Sequence, residues 1–291
     1  MTTSAVARRA APRRTVPRAA WWIANLSLAA LFLYPFWVVV SQSIKTPAEA
    51  AAAPPTLFPA SFSLANFTKL FSNENGGAGF MMQLGNSVLV SVGATLLTIF
   101  LSTLAGYGFA RLRFRGSSLL FFATLATFMI PFQAVITPLY LVLHQIGLTN
   151  SLLGLMLVYT TFHLPFGIFL MRNSFAALPA SIEEAALVDG CSLFRAMIRV
   201  LLPVAIPGVI STALFTFFAS WNEFFAALIL ITDQSKYTLP VALSLLSSGT
   251  FGTLDWGALQ SGVAVTIIPC IVIYILLQKY YVGGMLTGAT K

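Results

Sequence analysis

Apolar positions in this chain form long unbroken runs, not the alternation of a half-buried strand or the narrow stripe of a surface helix. A helix needs about 20 predominantly apolar residues to cross a bilayer. Six stretches qualify, at roughly 21–44, 84–110, 117–143, 152–171, 204–231 and 259–281. Pro131 and Pro138 lie inside the third and Pro207 inside the fifth, which membrane helices tolerate when neighbours re-satisfy the freed carbonyl groups. The pattern predicts an all-α polytopic membrane protein with six transmembrane helices. The polar connections are unequal. Segments 45–83 and 232–258 are long, 111–116 and 144–151 are short, and 172–203 is long and charged. No internal repeat is strong enough to indicate inverted halves.

Composition agrees. Of 291 residues, 58% are hydrophobic and 8% charged, with mean hydropathy +0.87, against about 25% charged in soluble domains. The net charge of +8 does not indicate nucleic acid, because the basic residues form no single patch interleaved with aromatics. They sit at the ends of the apolar runs. With both termini cytoplasmic, only Lys45, Lys69 and Lys236 of the 16 basic residues fall outside, as the positive-inside rule requires. The expected organisation is a basic cytoplasmic tail (1–20), a transmembrane domain (21–281) with an inside loop at 172–203, and a short cytoplasmic tail (282–291). The start imitates a secretory signal, but its apolar run is about twice the usual 7–15 residues, so an uncleaved first span is expected. Cys191 and Cys270 make no disulfide framework. His144 and His163 have no partners at metal-ligand spacing, so no metal site is expected.

The loop 172–203 holds the sequence's oddest stretch, "PASIEEAALVDGCSLFRAMIRVLLP". Glu183, Glu184 and Asp189 are three of only 8 acidic residues. Ser181 with Glu184 reads as a capping box, Glu183 and Glu184 suit a first helical turn, and Gly190 marks a left-handed stop. A helix over 182–189 follows. Ser192 can cap a second helix, with Leu193, Met197 and Leu201 on one face, Arg195 and Arg199 on another, and Pro203 at its end. Local helix grammar explains each residue. It does not explain why two short charged helices are kept where a six-residue loop would join the spans.

Glu184, Ala185, Ala186, Gly190, Val200, Leu202 and Pro203 stand in a spacing that resembles the signature loop of the membrane subunits of bacterial ABC importers. The departure is Val200, where isoleucine is commonest. "ARLRFRG", "SWNEFFAAL" and "GGMLTGATK" are similar to the smaller permease of maltose-type sugar importers, and the resemblance runs from the first span onward. It implies a type I importer fold in the bacterial inner membrane, surrounded by lipid. It also implies partners: a second permease, two ATPase subunits carrying ATP and magnesium, and an extracytoplasmic sugar-binding protein. Glu183, Glu184, Ala185, Ala186, Asp189, Gly190 and Pro203 would belong to the ATPase-coupling loop, with Ala185 and Ala186 allowing close approach and Glu184 anchoring. Ser247, Ser248, Gly249, Thr250 and Phe251, in the long outside loop, would meet the binding protein. No cofactor is expected in this chain: no lysine follows a glycine, so it has no phosphate loop.

Glu223 is the only acidic residue placed inside a span, and a carboxylate there must face protein or water. Ser211, Phe215, Phe218 and Asn222 follow one helical stripe beside it. These five residues are the candidates for a pathway or gate, because aromatic faces and amides suit a sugar; the alternative is hydrogen bonding between helices. Gln133, Thr137 and Tyr140 form a polar stripe on the third span, expected to pack internally, and His163 reads as a bundle histidine. A secondary transporter would need more intramembrane charge than Glu223 supplies. A membrane-embedded enzyme would need a motif such as GxSxG or HExxH, which the sequence lacks.

Overall fold

The structure, a computed structural model, describes residues 18–72, 79–248 and 254–289, with side chains through Gln278. Among these residues it is all helical. Helix α1 (Arg18–Ser43) leads to two short helices, α2 (Pro47–Ala50) and α3 (Ala65–Phe71). Next come α4 (Phe80–Arg111), α5 (Ser117–Thr127), α6 (Phe132–Gln145) and α7 (Leu152–Ala176). The charged stretch forms α8 (Ala180–Val188), α9 (Leu193–Ala196), a π turn at Met197–Leu201, and α10 (Leu202–Val204). Helices α11 (Ile206–Trp221), α12 (Phe225–Leu230), α13 (Leu239–Ser247) and α14 (Trp256–Ala289) complete the chain.

Small residues set the core. An added Cβ on Gly93 would meet the Met156 side chain, and one on Gly106 would meet Met171 Cβ at 2.6 Å and the Arg172 backbone nitrogen at 2.8 Å. Helices α4 and α7 therefore touch backbone to backbone, and they run parallel. Across α7, Gly208 faces Ser174 and Thr212 faces Gly167, so α11 runs the other way. Close approach of small residues is how helices associate without a hydrophobic driving force between them.

This register fixes the passes. Because α4 and α7 are parallel, the intervening α5 and α6 must return the chain across the full thickness. They do so as a broken span bent by 98°, not as the continuous third span expected at 117–143. Pro131 explains the break: it has no N–H to donate and it biases Ile130 away from helical geometry. The fifth span departs too. Helices α9–α10 and α11 meet at 77° around Ala205, just before Pro207, and the crossing helix stops at Trp221 before resuming at Phe225. Alternation then places the start of α1, the end of α14 and the α8 layer on one side.

The opposite side is tied down by polar contacts. Fully buried Asn66 donates Nδ2 to the carbonyls of Lys45 (2.8 Å) and Ser43 (3.4 Å), and Ser261 also donates to Ser43. Lys69 pairs with Asp255, whose carboxylate accepts from the Ala258 N–H at the start of α14. Burial pushes the Asp255 pKa up, but the Ala258 amide and Lys69 outweigh it and leave it depressed.

Two predictions follow from this packing. Gly106→Ala should lower the thermal midpoint of the purified protein, at an overpacking cost of about 1–3 kcal/mol. Gly85→Ala, with nothing within 4 Å of the added Cβ, should leave it unchanged or raise it. Because the folded pKa of Asp255 lies below its unfolded value of about 3.9, its contribution is complete above roughly pH 4 and is lost as pH falls through the folded value. Asp255→Asn should accordingly lower the midpoint at pH 7 and make progressively less difference as pH falls below about 4.

Candidate functional site

The α8 layer is built around a turn. Gly190 has φ +84°; its N–H bonds to Leu187 O and the Cys191 N–H to Ala186 O, both at 3.0 Å. These two bonds close helix α8 as a Schellman motif. Ser192 caps α9 as expected, accepting from the Arg195 N–H at 3.4 Å. The expected capping box does not form. Helix α8 begins at Ala180, directly after Pro179, with no side-chain cap, so Ser181 already lies in the first turn. The second helix also differs. It continues past Pro203 to Val204, and the π turn upstream widens the backbone where the proline would clash with the preceding turn. Met197 and Leu201 are buried in the core as expected, whereas Leu193 is exposed.

The carboxylates of α8 divide. Glu183 is buried and accepts a 2.6 Å hydrogen bond from the Tyr107 hydroxyl. Its second oxygen lies 3.5 Å from Arg111 Nε. Arg111 also donates Nη2 to the carbonyls of Phe175 (2.8 Å) and Leu178 (2.7 Å), at and just beyond the end of α7. Glu184 and Asp189 are exposed, and Ala185 is exposed while Ala186 faces inward. A hollow of about 840 Å³ opens beside α8, lined among others by Arg113, Arg115, Glu184 and Leu187. Sequence reasoning missed Tyr107 and Arg111. Their signal was an i, i+4 pair at the α8 end of α4, where a basic residue read simply as topology.

The second candidate region is a cleft of about 460 Å³ where the two broken spans meet α7. Its walls are aromatic (Phe132, Phe162, Phe215) and its polar groups are Gln133, Tyr159, His163 and Glu223. Glu223 is not inside a helix. It sits in the break before α12, accepting from the N–H groups of Ala226 (3.0 and 3.1 Å) and Ala227 (3.3 Å) and from the Tyr159 hydroxyl at 2.7 Å. A carboxylate at a helix N-terminus is stabilised by the amides and dipole there, which answers the desolvation problem that Glu223 posed.

The expected stripe splits. Phe215 lines the cleft with Glu223, packing 4.3 Å from Phe166. Ser211 and Asn222 bond back to their own helix, to Pro207 O and Phe218 O. Phe218 packs towards Trp221 and Leu239 instead. Gln133, Thr137 and Tyr140 are exposed, not packed inside this chain. His163 contacts Ser220 at 3.5 Å and stands edge-on to Phe215. Ser247 and Ser248 close α13, while Gly249, Thr250 and Phe251 lie outside the described residues. Among the described residues no group of side chains could hold a metal ion.

Residues 98–286 match the family described as "Binding-protein-dependent transport system inner membrane component". A diacetylchitobiose uptake system permease protein of Streptomyces coelicolor is 34% identical, covering 88% of this chain and 82% of its own. A trehalose/maltose transport system permease protein of Thermococcus litoralis is 30% identical, covering 92% and 95%. In structure, a chain of a bacterial ABC transporter involved in import of the acidic polysaccharide alginate superposes with TM-score 0.78 at 23% identity, covering 93% of this chain and 100% of that one.

The Glu223 geometry makes a prediction of its own. Glu223→Ala should destabilise the protein by about 1–3 kcal/mol for the unpaired Tyr159 hydroxyl and about 1 kcal/mol for the lost cap. Glu223→Gln, which keeps an acceptor, should cost less, and adding Tyr159→Phe should relieve part of the Ala loss. Thermal unfolding of the purified variants reads all three.

Proposed function

Because the chain belongs to the inner-membrane permeases of binding-protein-dependent ABC importers, we propose that it forms, with a second permease, the pathway for a sugar. The sugar is a disaccharide or short oligosaccharide delivered by an extracytoplasmic binding protein. Relatives named for diacetylchitobiose and for trehalose/maltose support that class, as does the cleft, whose rings suit the apolar faces of a sugar and whose amide, imidazole and carboxylate suit its hydroxyls. Exposed Gln133, Thr137 and Tyr140 continue a polar face from the cleft along α6. Such a face belongs against a partner or water, not lipid.

Orientation follows from charge. Arg18, Arg111, Arg113, Arg115, Arg172, Arg195 and Arg199 lie towards the α8 side, and Lys45, Lys69 and Lys236 on the other. The α8 side is therefore cytoplasmic, and the binding protein approaches the opposite face near Ser247 and Ser248. ATP and magnesium act on two separate ATPase subunits, and α8 couples them to the spans. The observation that carries this reading is the α8 layer: a helix anchored from beneath by Glu183, closed by a left-handed glycine, and presenting Glu184, Ala185, Leu187 and Val188 outward.

The test is Gly190→Val. Its Cβ would meet nothing within 4 Å, so the substitution acts through backbone strain at positive φ, on the order of 1–2 kcal/mol. The variant should insert in the membrane, yet lose co-purification of the ATPase subunits and uptake of whichever of diacetylchitobiose, trehalose or maltose the wild-type complex transports. Glu184→Ala should be milder. Wild-type co-purification and uptake in Gly190→Val would contradict the coupling role of α8.

A further inference from the structure

Beneath α8, three elements meet at one carboxylate. Tyr107 and Arg111 are one turn apart on α4, Glu183 projects from α8, and Arg111 reaches carbonyls at and just beyond the end of α7. We propose that Tyr107, Arg111 and Glu183 form a clasp that transmits displacement of α8 to α4 and α7. The proposal rests on the coupling role of α8 given above and assigns its inward face, whereas docking uses the outward one. Glu183 is thereby a positioning residue, not a contact for the ATPase.

Three observations carry this. First, the clasp grips the best-packed part of the molecule. Helices α4 and α7 touch backbone to backbone at Gly106, one residue before Tyr107, and Tyr107 packs edge-on against Phe175 of α7 with ring centroids 5.7 Å apart. A push delivered there moves two spans as one body, because close-packed interiors transmit strain. Second, besides the apolar packing of Ile182 and Ala186, α8 has one polar hold on the spans. Of its residues only Glu183 and Ala186 are buried, so the carboxylate is its principal polar attachment to the spans. Third, the clasp has slack. Arg111 Nε is buried without a hydrogen-bond partner, 3.5 Å from Glu183. A shift of α8 by a fraction of an ångström towards α4 would convert that gap into a charge-assisted hydrogen bond, typically 2.7–2.9 Å. A tighter clasp thus lies within a small displacement of α8 from the arrangement seen.

The experiment uses the assembled complex with its binding protein, in a background where Cys191 and Cys270 are serine. Nitroxide labels at Leu104 and Ser181, both exposed, report the α4–α8 distance with and without a non-hydrolysable ATP analogue. In the parent the two helices should move together, so the distance distribution should stay narrow in both states. Tyr107→Phe keeps the ring packing and removes only the hydroxyl. It should leave the ATPase subunits co-purifying, broaden the distance distribution, and lower binding-protein stimulation of ATP hydrolysis about fivefold or more, the lower end of typical coupling between sites. Glu183→Gln, which keeps an acceptor for Tyr107 but loses the charge facing Arg111, should show a smaller loss, and Glu183→Ala a larger one.

Wild-type stimulation and an unchanged distribution in both Tyr107→Phe and Glu183→Ala would overturn the clasp. So would loss of co-purification in Tyr107→Phe with normal membrane insertion, since that would place these residues in docking. If Tyr107→Phe fails to insert, Glu183→Gln decides by the same criteria. Failure of the coupling role itself reads differently: Gly190→Val would then keep its ATPase subunits whatever the clasp variants do.

Discussion

A carboxylate taken out of water beneath a helix must have its hydration replaced, and Glu183 is the place where this chain meets that requirement. Tyr107 supplies one hydrogen bond and the Arg111 guanidinium supplies the opposing charge. Removing one partner of a buried charged pair typically costs about 3–5 kcal/mol, so α8 is held with its Glu183 face against the spans. The outer face depends on that pose. With Glu183 turned in, Glu184 and Ala185 turn out, and the Schellman turn at Gly190 directs the chain into α9. Arg111 also donates to the carbonyls of Phe175 and Leu178 at the end of α7, which joins the layer to both parallel spans.

The opposite constraint shapes the cleft. Backbone that leaves helical geometry at membrane depth must be buried in protein or must line a polar cavity. The breaks at 128–131 and at 222–224 both border the same cleft. Glu223 closes the second break by bonding the first amides of α12, and Tyr159 of the continuous helix α7 holds it there. Continuous α4 and α7 carry the close backbone contacts, while the interrupted third and fifth spans line the cleft together with Tyr159, Phe162 and His163 of α7.

The number of passes was legible because apolar run length answers directly to bilayer thickness. The glycine stop of α8 was legible because only a residue without a Cβ takes positive φ cheaply. The rest depended on distance in space. Ser181 and Glu184 have capping-box spacing, yet Pro179 starts the helix early and the neighbouring carboxylate turns inward. Pro131 lay in plain view, but sequence alone does not say whether a membrane proline kinks a helix or ends it. Glu223 read as a charge within a span because the break that gives it three amide contacts comes from tertiary packing. Tyr107 and Arg111 looked like a core aromatic and a topology signal, and only their meeting with Glu183 gives them a role.

The central claim is that the outward face of α8 seats an ATPase subunit. Val188 lies at its tip with 87% of its surface exposed, so a photo-reactive amino acid placed there samples whatever covers that face in the assembled complex. The account predicts a cross-link from position 188 to an ATPase subunit, lost when the subunit is stripped from the membrane. Cross-linking to lipid alone, or to the extracytoplasmic binding protein, would contradict it.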